Sequence, residues 1–374
     1  MQRVEYGKTG KMITRLGFGV LRLPSELRGK ELVYDEDKSV DVIRHAIDSG
    51  LNYFDTAPSY CGKRSQSILG RAIRGKRDQL YLSTKFDTKD TDLMVQFENS
   101  LVELETDHID FYHFWSMDLE YFADKGLAKG GPLDQMTKLK EQGSIGHIAF
   151  SSHDTPENIM EIIRRGEGRF EALLCQYNLL DRRNEEVMAY AKSLDMGVSV
   201  MGPMGGGRLG RPSELMDVLP GGTSTASAET ALRFVYSNPN VDIALSGMNT
   251  RAMIDENILA ANDPRPLSEE EQQHIQAVVE EKKKLSDLYC TACNYCMPCP
   301  AGINIPEVFK IYNYQRVYGI TAYAKQQYAL IGTDGDLDFS NAGACTGCGL
   351  CEKQCPQKLN IREELIKAHE TLQL

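Results

Sequence analysis

The chain has 374 residues, 41% hydrophobic and 25% charged, an ordinary composition for a globular protein with one large domain and a smaller one. Its net charge of −11, with no basic cluster to offset it, argues against a nucleic-acid partner, which would need Lys and Arg massed on one face. The opening residues MQRVEYGKTG are polar and turn-like rather than a signal sequence, and no run approaches the roughly 20 apolar residues of a membrane helix. A cytoplasmic protein with no membrane partner is expected.

Residues 1–14 read as a small hairpin turning at Lys8-Thr9-Gly10-Lys11, suited to plug the bottom of a barrel. Short apolar runs then recur as candidate strands at 15–19, 51–56, 80–85, 109–114, 144–150, 171–176, 197–202 and 241–247. Helical patterns lie between them. From Ser39 to Ser49, Val40, Ile43 and Ile47 recur at helical spacing, and Thr155-Pro156-Glu157 reads as a helix start with Thr155 as N-cap. Eight strand–helix alternations imply a parallel sheet that closes on itself, so the expected class is α/β, a (β/α)8 TIM barrel. An open doubly wound sheet is the rival, but Gly17-Phe18-Gly19-Val20 does not continue as its glycine fingerprint. The polar, proline-rich stretch at 262–266 marks a boundary, giving a barrel over 1–266 and a second domain over 267–374. That domain opens with a charged helix from Ser268 to about Leu288, and residues 305–325 read as a further helix.

Eight of the ten cysteines fall in two tight runs in this second domain. Cys290, Cys293, Cys296 and Cys299 are each separated by two residues, and Pro300 follows. Cys345, Cys348 and Cys351 repeat that spacing, then three residues lead to Cys355 and Pro356. The second run has the bacterial ferredoxin spacing, and the first misses it by one residue before its last cysteine. Tetrahedral zinc would leave four thiols spare. Eight ligands suit two [4Fe–4S] clusters, the fourth cysteine of each run serving the other cluster, in a small, mostly helical ferredoxin-like domain. Cys61 and Cys175 stand alone and read as packing residues, although Cys61 adjoins Tyr60.

The working residues of such a barrel sit at the C-terminal ends of its strands. The run NYFDTAPSY, followed by SQSILGRAI and then LSTK, resembles the aldo-keto reductases, and the likeness covers about the first 260 residues in order. With the cysteine runs, the chain is similar to the subgroup that carries a C-terminal 4Fe–4S ferredoxin-like domain. The resemblance implies hydride transfer between NADP(H) or NAD(H) and a small carbonyl or alcohol, with Tyr60 as proton donor supported by Lys85 and Asp55. The chemistry is sound, because a phenol with a pKa near 10 is a poor donor at neutral pH and a nearby ammonium favours its phenolate.

The fourth strand departs from the family. Where the pattern D-x-Y-x-x-H would place a histidine, Asp110-Phe111-Tyr112-His113-Phe114-Trp115 places Trp115, an indole that donates a hydrogen bond but exchanges no proton. His113, two residues earlier and on the same side of the strand, either reaches the pocket from one layer deeper as a catalytic group or is a core histidine.

By the same resemblance, cofactor contacts map to Ser151 and Ser152 after the fifth strand and Gln176 after the sixth. Gly202, Gly205 and Gly207 map to the pyrophosphate-side loop, and Ser246, Gly247 and Asn257 to the adenosine-phosphate segment. Ser152 stands where the family has Asn. Arg251, the basic residue near that last segment, tilts the expectation towards NADPH.

Three functions compete. The first is a nicotinamide-dependent oxidoreductase acting on a small molecule, with clusters relaying electrons, although no flavin motif is visible to bridge two-electron hydride and one-electron cluster chemistry. The second is an iron–sulfur electron-transfer protein whose barrel binds a substrate or redox protein partner without hydride chemistry. The third is a non-enzymatic sensor, against which the intact Asp55, Tyr60 and Lys85 count.

Overall fold

In the computed structural model, residues 1–28, 31–88, 92–205, 209, 227–262, 267–284, 290, 296–332, 337–355 and 358–373 are described. The chain forms two compact units. Met1–Ser25, Tyr34–Gly206 and Ala228–Leu267 make up the first, while Glu26–Val33 and Ser268–Leu374 belong to the second.

The first unit is a closed barrel of eight parallel strands in sequential order. They are β1 (Leu16–Gly19), β2 (Tyr53–Asp55), β3 (Tyr81–Asp87), β4 (Ile109–Trp115), β5 (Ile145–Ser152), β6 (Ala172–Gln176), β7 (Gly197–Met201) and β8 (Ile243–Ser246). All eight expected strands are present. They are buried on both faces, so they read as nearly continuous apolar runs rather than alternating ones. Register fixes which side chains point inward. Phe111 pairs with Ser83 and His147, and His113 with Lys85 and Ala149, so these residues share the barrel interior.

The N-terminal hairpin pairs Arg3–Glu5 with Met12–Thr14 and closes the barrel bottom. Tyr6 is fully buried against Tyr53 and Phe111, and its hydroxyl donates to Ser199 at 3.1 Å. Gly7 has φ +53, and a Cβ there would lie 2.2 Å from the backbone nitrogen of Gly197, so only glycine lets the turn come this close.

Outside the strands, the helix Glu36–Asp48 begins three residues earlier than the apolar spacing suggests, because the Asp35 carboxylate caps it by accepting from the Lys38 N–H. Thr155 caps Pro156–Arg165 as expected, accepting from Asn158.

The second unit contains Glu269–Lys284, Ile305–Arg316, Thr321–Ala329, Leu350–Gln354 and Ile361–Leu372, all helical. Its core gathers Val308, Phe309, Tyr312, Tyr323, Leu365 and Leu372. The single helix expected over 305–325 is instead two, interrupted near Gly319, whose φ of +65 cannot continue a right-handed helix. Among the described residues, no helix is long and apolar enough to cross a membrane.

Candidate active site

Asp55 ends β2 and Lys85 lies in β3, both facing inward at the C-terminal mouth. The Lys85 ammonium, 1% exposed, donates to the Asp55 carboxylate at 2.6 Å and to the Thr56 carbonyl at 2.7 Å. Ser83 donates to the other Asp55 oxygen at 2.7 Å. Burial alone would depress the Lys85 pKa, but Asp55 and then Tyr60 outweigh it and hold the ammonium above the ordinary lysine value.

Tyr60 follows β2 on a short turn. Cys61, Gly62 and Lys63 all take left-handed backbone angles, with φ of 54°, 61° and 67°, an arrangement that costs about 1 kcal/mol or more at each of the two non-glycine positions. The buried Cys61 thiol anchors the turn, sharing its proton between the carbonyls of Val20 at 3.4 Å and Leu21 at 3.3 Å. Burial pushes that thiol up to about 11, as befits an inert packing cysteine. Cys175, also buried, is pushed up to about 12. The turn brings the Tyr60 ring centre to 5.0 Å from Lys85 Nζ. Trp115 meets Tyr60 edge to face, with ring centres 5.5 Å apart.

His113 lies one layer below, fully buried and in register with Lys85. Among the described residues neither ring nitrogen has a hydrogen-bond partner, the Phe150 backbone approaching without reaching hydrogen-bond geometry. Burial first, and the Lys85 charge second, push its pKa well below the usual histidine range, so the ring is neutral.

The residues mapped to cofactor divide by strand alternation. Ser151, Gln176 and Met201 face inward, continuing the rows of Ala149, Leu174 and Ser199. Ser151 Oγ accepts from the Ser116 N–H at 2.9 Å. Ser152 faces away from the interior, and its hydroxyl donates to the Met117 carbonyl at 2.7 Å, holding the loop after β4. Gly202 has φ +64, and a Cβ there would fall 2.6 Å from the Gln176 amide nitrogen, so its bare backbone leaves that amide room at the mouth. Gly205 is also left-handed, with φ +55. Gly207 lies outside the described residues. Ser246 and Asn257 bond each other at 2.8 Å, pinning helix Arg251–Asn262 to the end of β8. Arg251, on that helix, forms a two-pronged pair with Asp41 of helix Glu36–Asp48, so its charge is already matched.

In the second unit, Cys296, Cys299, Cys345, Cys348 and Cys351 line one cavity of about 130 Å³. Cys290 and Cys355 pack against the same helical core. Cys293 lies outside the described residues. Thiols converging on one cavity are the donor set an iron–sulfur cluster requires.

Residues 15–280 match the aldo/keto reductase family. The chain belongs to that family. Residues 289–361 match the 4Fe-4S dicluster domain. Among curated aldo/keto reductase relatives and other oxidoreductases, an uncharacterized oxidoreductase of Bacillus subtilis, YqkF, is 26% identical, over 74% of this chain and 96% of its own length. The L-galactose dehydrogenase of Arabidopsis thaliana is 25% identical, over 75% of this chain and 95% of its own. The barrel fold is shared with aldo-keto reductase AKR11C1 from Bacillus halodurans in its holo form. That likeness has a TM-score of 0.62 at 24% identity and covers 74% of this chain and 96% of that one. This chain is therefore an oxidoreductase of the aldo/keto reductase family with an appended 4Fe–4S domain.

Two features of this aldo/keto reductase escape sequence reasoning. Arg22, in the loop after β1, packs its side chain against Gly247, where a Cβ would lie 3.2 Å from that of Arg22, and so brings a cation to the end of β8. Arg362 lines the cysteine cavity. Neither belongs to a periodic pattern or a motif.

Proposed function

We propose that the barrel moves hydride between NADP(H) or NAD(H) and a small carbonyl or alcohol, while the C-terminal domain holds two [4Fe–4S] clusters that exchange electrons with a separate redox protein. In this reading the barrel occupies residues 1–266 and the cluster domain 267–374, and a reducing cytoplasm keeps the thiolates available. The observation that carries it is the Lys85 ammonium, buried 2.6 Å from Asp55 and 5.0 Å from the centre of the Tyr60 ring.

A bound nicotinamide supplies or takes two electrons as hydride. Tyr60 gives its phenolic proton to the substrate oxygen on reduction and takes it back on oxidation. Lys85 offsets the charge left on the phenolate, and Asp55 with Ser83 keeps the ammonium charged and fixed at depth. Trp115 covers one side of Tyr60 and excludes water there. His113, with no exposed surface, acts through Lys85 rather than on substrate.

Gln176 and Ser151 would hold the carboxamide, and Gly202, Gly205 and Gly207 the pyrophosphate, the left-handed Gly202 and Gly205 turning backbone N–H groups towards an anion. Ser246, Gly247 and Asn257 set the helix start that would meet the adenosine phosphate. Ser152 serves by holding the neighbouring loop. Cys345, Cys348 and Cys351 with Cys299 are assigned to one cluster, and Cys290, Cys293 and Cys296 with Cys355 to the other. All four of the first set line the one cavity, Cys299 among them, which supports the exchange of fourth ligands; Cys296 of the second set borders the same cavity.

A second reading, an iron–sulfur electron carrier whose barrel does no hydride chemistry, is favoured by Trp115, which cannot titrate and stands where the family has histidine. Anaerobic titration with NADPH and NADH separates the two. Saturable binding supports hydride chemistry, with bleaching of the cluster absorbance adding electronic coupling. No binding of either nucleotide favours the second reading.

A further inference from the structure

We propose that Arg362 and Glu352 set the reduction potential of the cluster held by Cys345, Cys348, Cys351 and Cys299, the cation raising it and the anion lowering it. The inference rests on that ligand assignment. Among the described residues that line the cysteine cavity, Arg362 is the only cation, and no carboxylate lines it.

The guanidinium is held in place from three sides. Its Nε donates to Glu352 at 2.9 Å, its Nη2 lies 2.8 Å from the same carboxylate oxygen, and its Nη1 donates to the Gly347 carbonyl at 3.3 Å. The Arg362 backbone N–H also donates to Glu352 at 2.9 Å. Gly347 stands between Cys345 and Cys348, and Glu352 follows Cys351. Gly349 has φ +73, and a Cβ there would be 3.6 Å from the guanidinium carbon, so the charge lies directly against the ligand loop.

Reduction of a cluster by one electron adds one negative charge to this loop. A fixed cation beside it favours the reduced form, and a fixed anion opposes it. Arg362 is half exposed and Glu352 less so, which tempers both effects without cancelling them. Arginine keeps its charge at every working pH, so the bias is permanent.

The test uses the full-length, cluster-loaded protein in an anaerobic titration with dithionite and mediators, followed by EPR. Cys348→Ser first identifies the signal of this cluster. If that signal survives Cys348→Ser, the ligand assignment fails, independently of the role of Arg362. With the signal identified, R362Q should lower the reduced-to-oxidised ratio at the wild-type midpoint about tenfold, equivalent to about 59 mV for one electron. E352Q should shift it the opposite way, R362K should stay near wild type, and the other cluster should not move.

A merely structural staple would change iron content without this sign pattern. If R362Q retains iron and its midpoint is unmoved, or if both clusters shift together, the proposal is overturned. If R362Q loses iron, E352Q decides: a raised midpoint supports the proposal and an unchanged one overturns it.

Discussion

The Lys85 ammonium sits 5.0 Å from the centre of the Tyr60 ring, joining a strand-end cation to a phenol from the neighbouring turn. The proton chemistry proposed for the barrel depends on that pairing. Tyr60→Phe keeps the ring and its packing on Trp115 but removes the proton. Turnover of any carbonyl substrate should fall by about 10² to 10⁴-fold. Nicotinamide affinity, measured by fluorescence titration, should stay nearly unchanged; unaltered turnover would remove Tyr60 from the mechanism.

The Lys85 pKa is raised on folding, which fixes the sign of its pH dependence. A raised folded-state pKa gives stability that is fully present below the unfolded value, near 10.4, and lost as pH climbs through the folded value. The Tm advantage of wild type over Lys85→Met should therefore shrink above about pH 10.4. Asp55→Asn, which leaves the buried ammonium without its anion, should cost about 3–5 kcal/mol in chemical denaturation. A loss below 1 kcal/mol would show that Asp55 does not hold the charge.

His113 gives the opposite sign. Its folded-state pKa is depressed, so the unfolded chain takes up a proton below about pH 6.5 that the folded site refuses, and stability falls as the solution is acidified. His113→Leu should remove part of that acid sensitivity between pH 6.5 and 5, read as Tm against pH. Its turnover should fall less than tenfold. A loss as deep as that of Tyr60→Phe would place His113 in direct proton transfer.

The proposed exchange of fourth ligands divides the cysteine variants into two groups. Cys299→Ser and Cys348→Ser should disturb the same EPR signal, and Cys355→Ser the other, each losing about half of the protein's iron by the two-cluster assignment. Cys61→Ser and Cys175→Ser should keep the iron complete. Full iron retention in Cys348→Ser would contradict the ligand set.

Much of this was legible in the residues because parallel strands buried on both faces announce themselves as apolar runs, and strand ends then carry Asp55, Tyr60 and Lys85 in order. What was less legible depends on direction rather than identity. Ser152 carries the right kind of side chain, but one step along the strand turns it away from the mouth. The Ser246–Asn257 bond and the Trp115 contact with Tyr60 exist only once the barrel closes. The helix expected over 305–325 is interrupted near Gly319, whose left-handed backbone the periodicity of Val308, Phe309, Tyr312 and Tyr323 gives no sign of. Arg362 meets Glu352 across ten residues of non-helical spacing, a distance no pattern marks.

The most direct test of the hydride assignment uses NADPH and NADH deuterated at C4 of the nicotinamide, with a panel of small aldehydes and ketones under anaerobic conditions. Mass spectrometry of the product should find deuterium on the carbinol carbon, and Tyr60→Phe should abolish it. Reduced product carrying solvent hydrogen at that carbon, or cluster reduction with no labelled alcohol from any substrate, would contradict hydride transfer in the barrel.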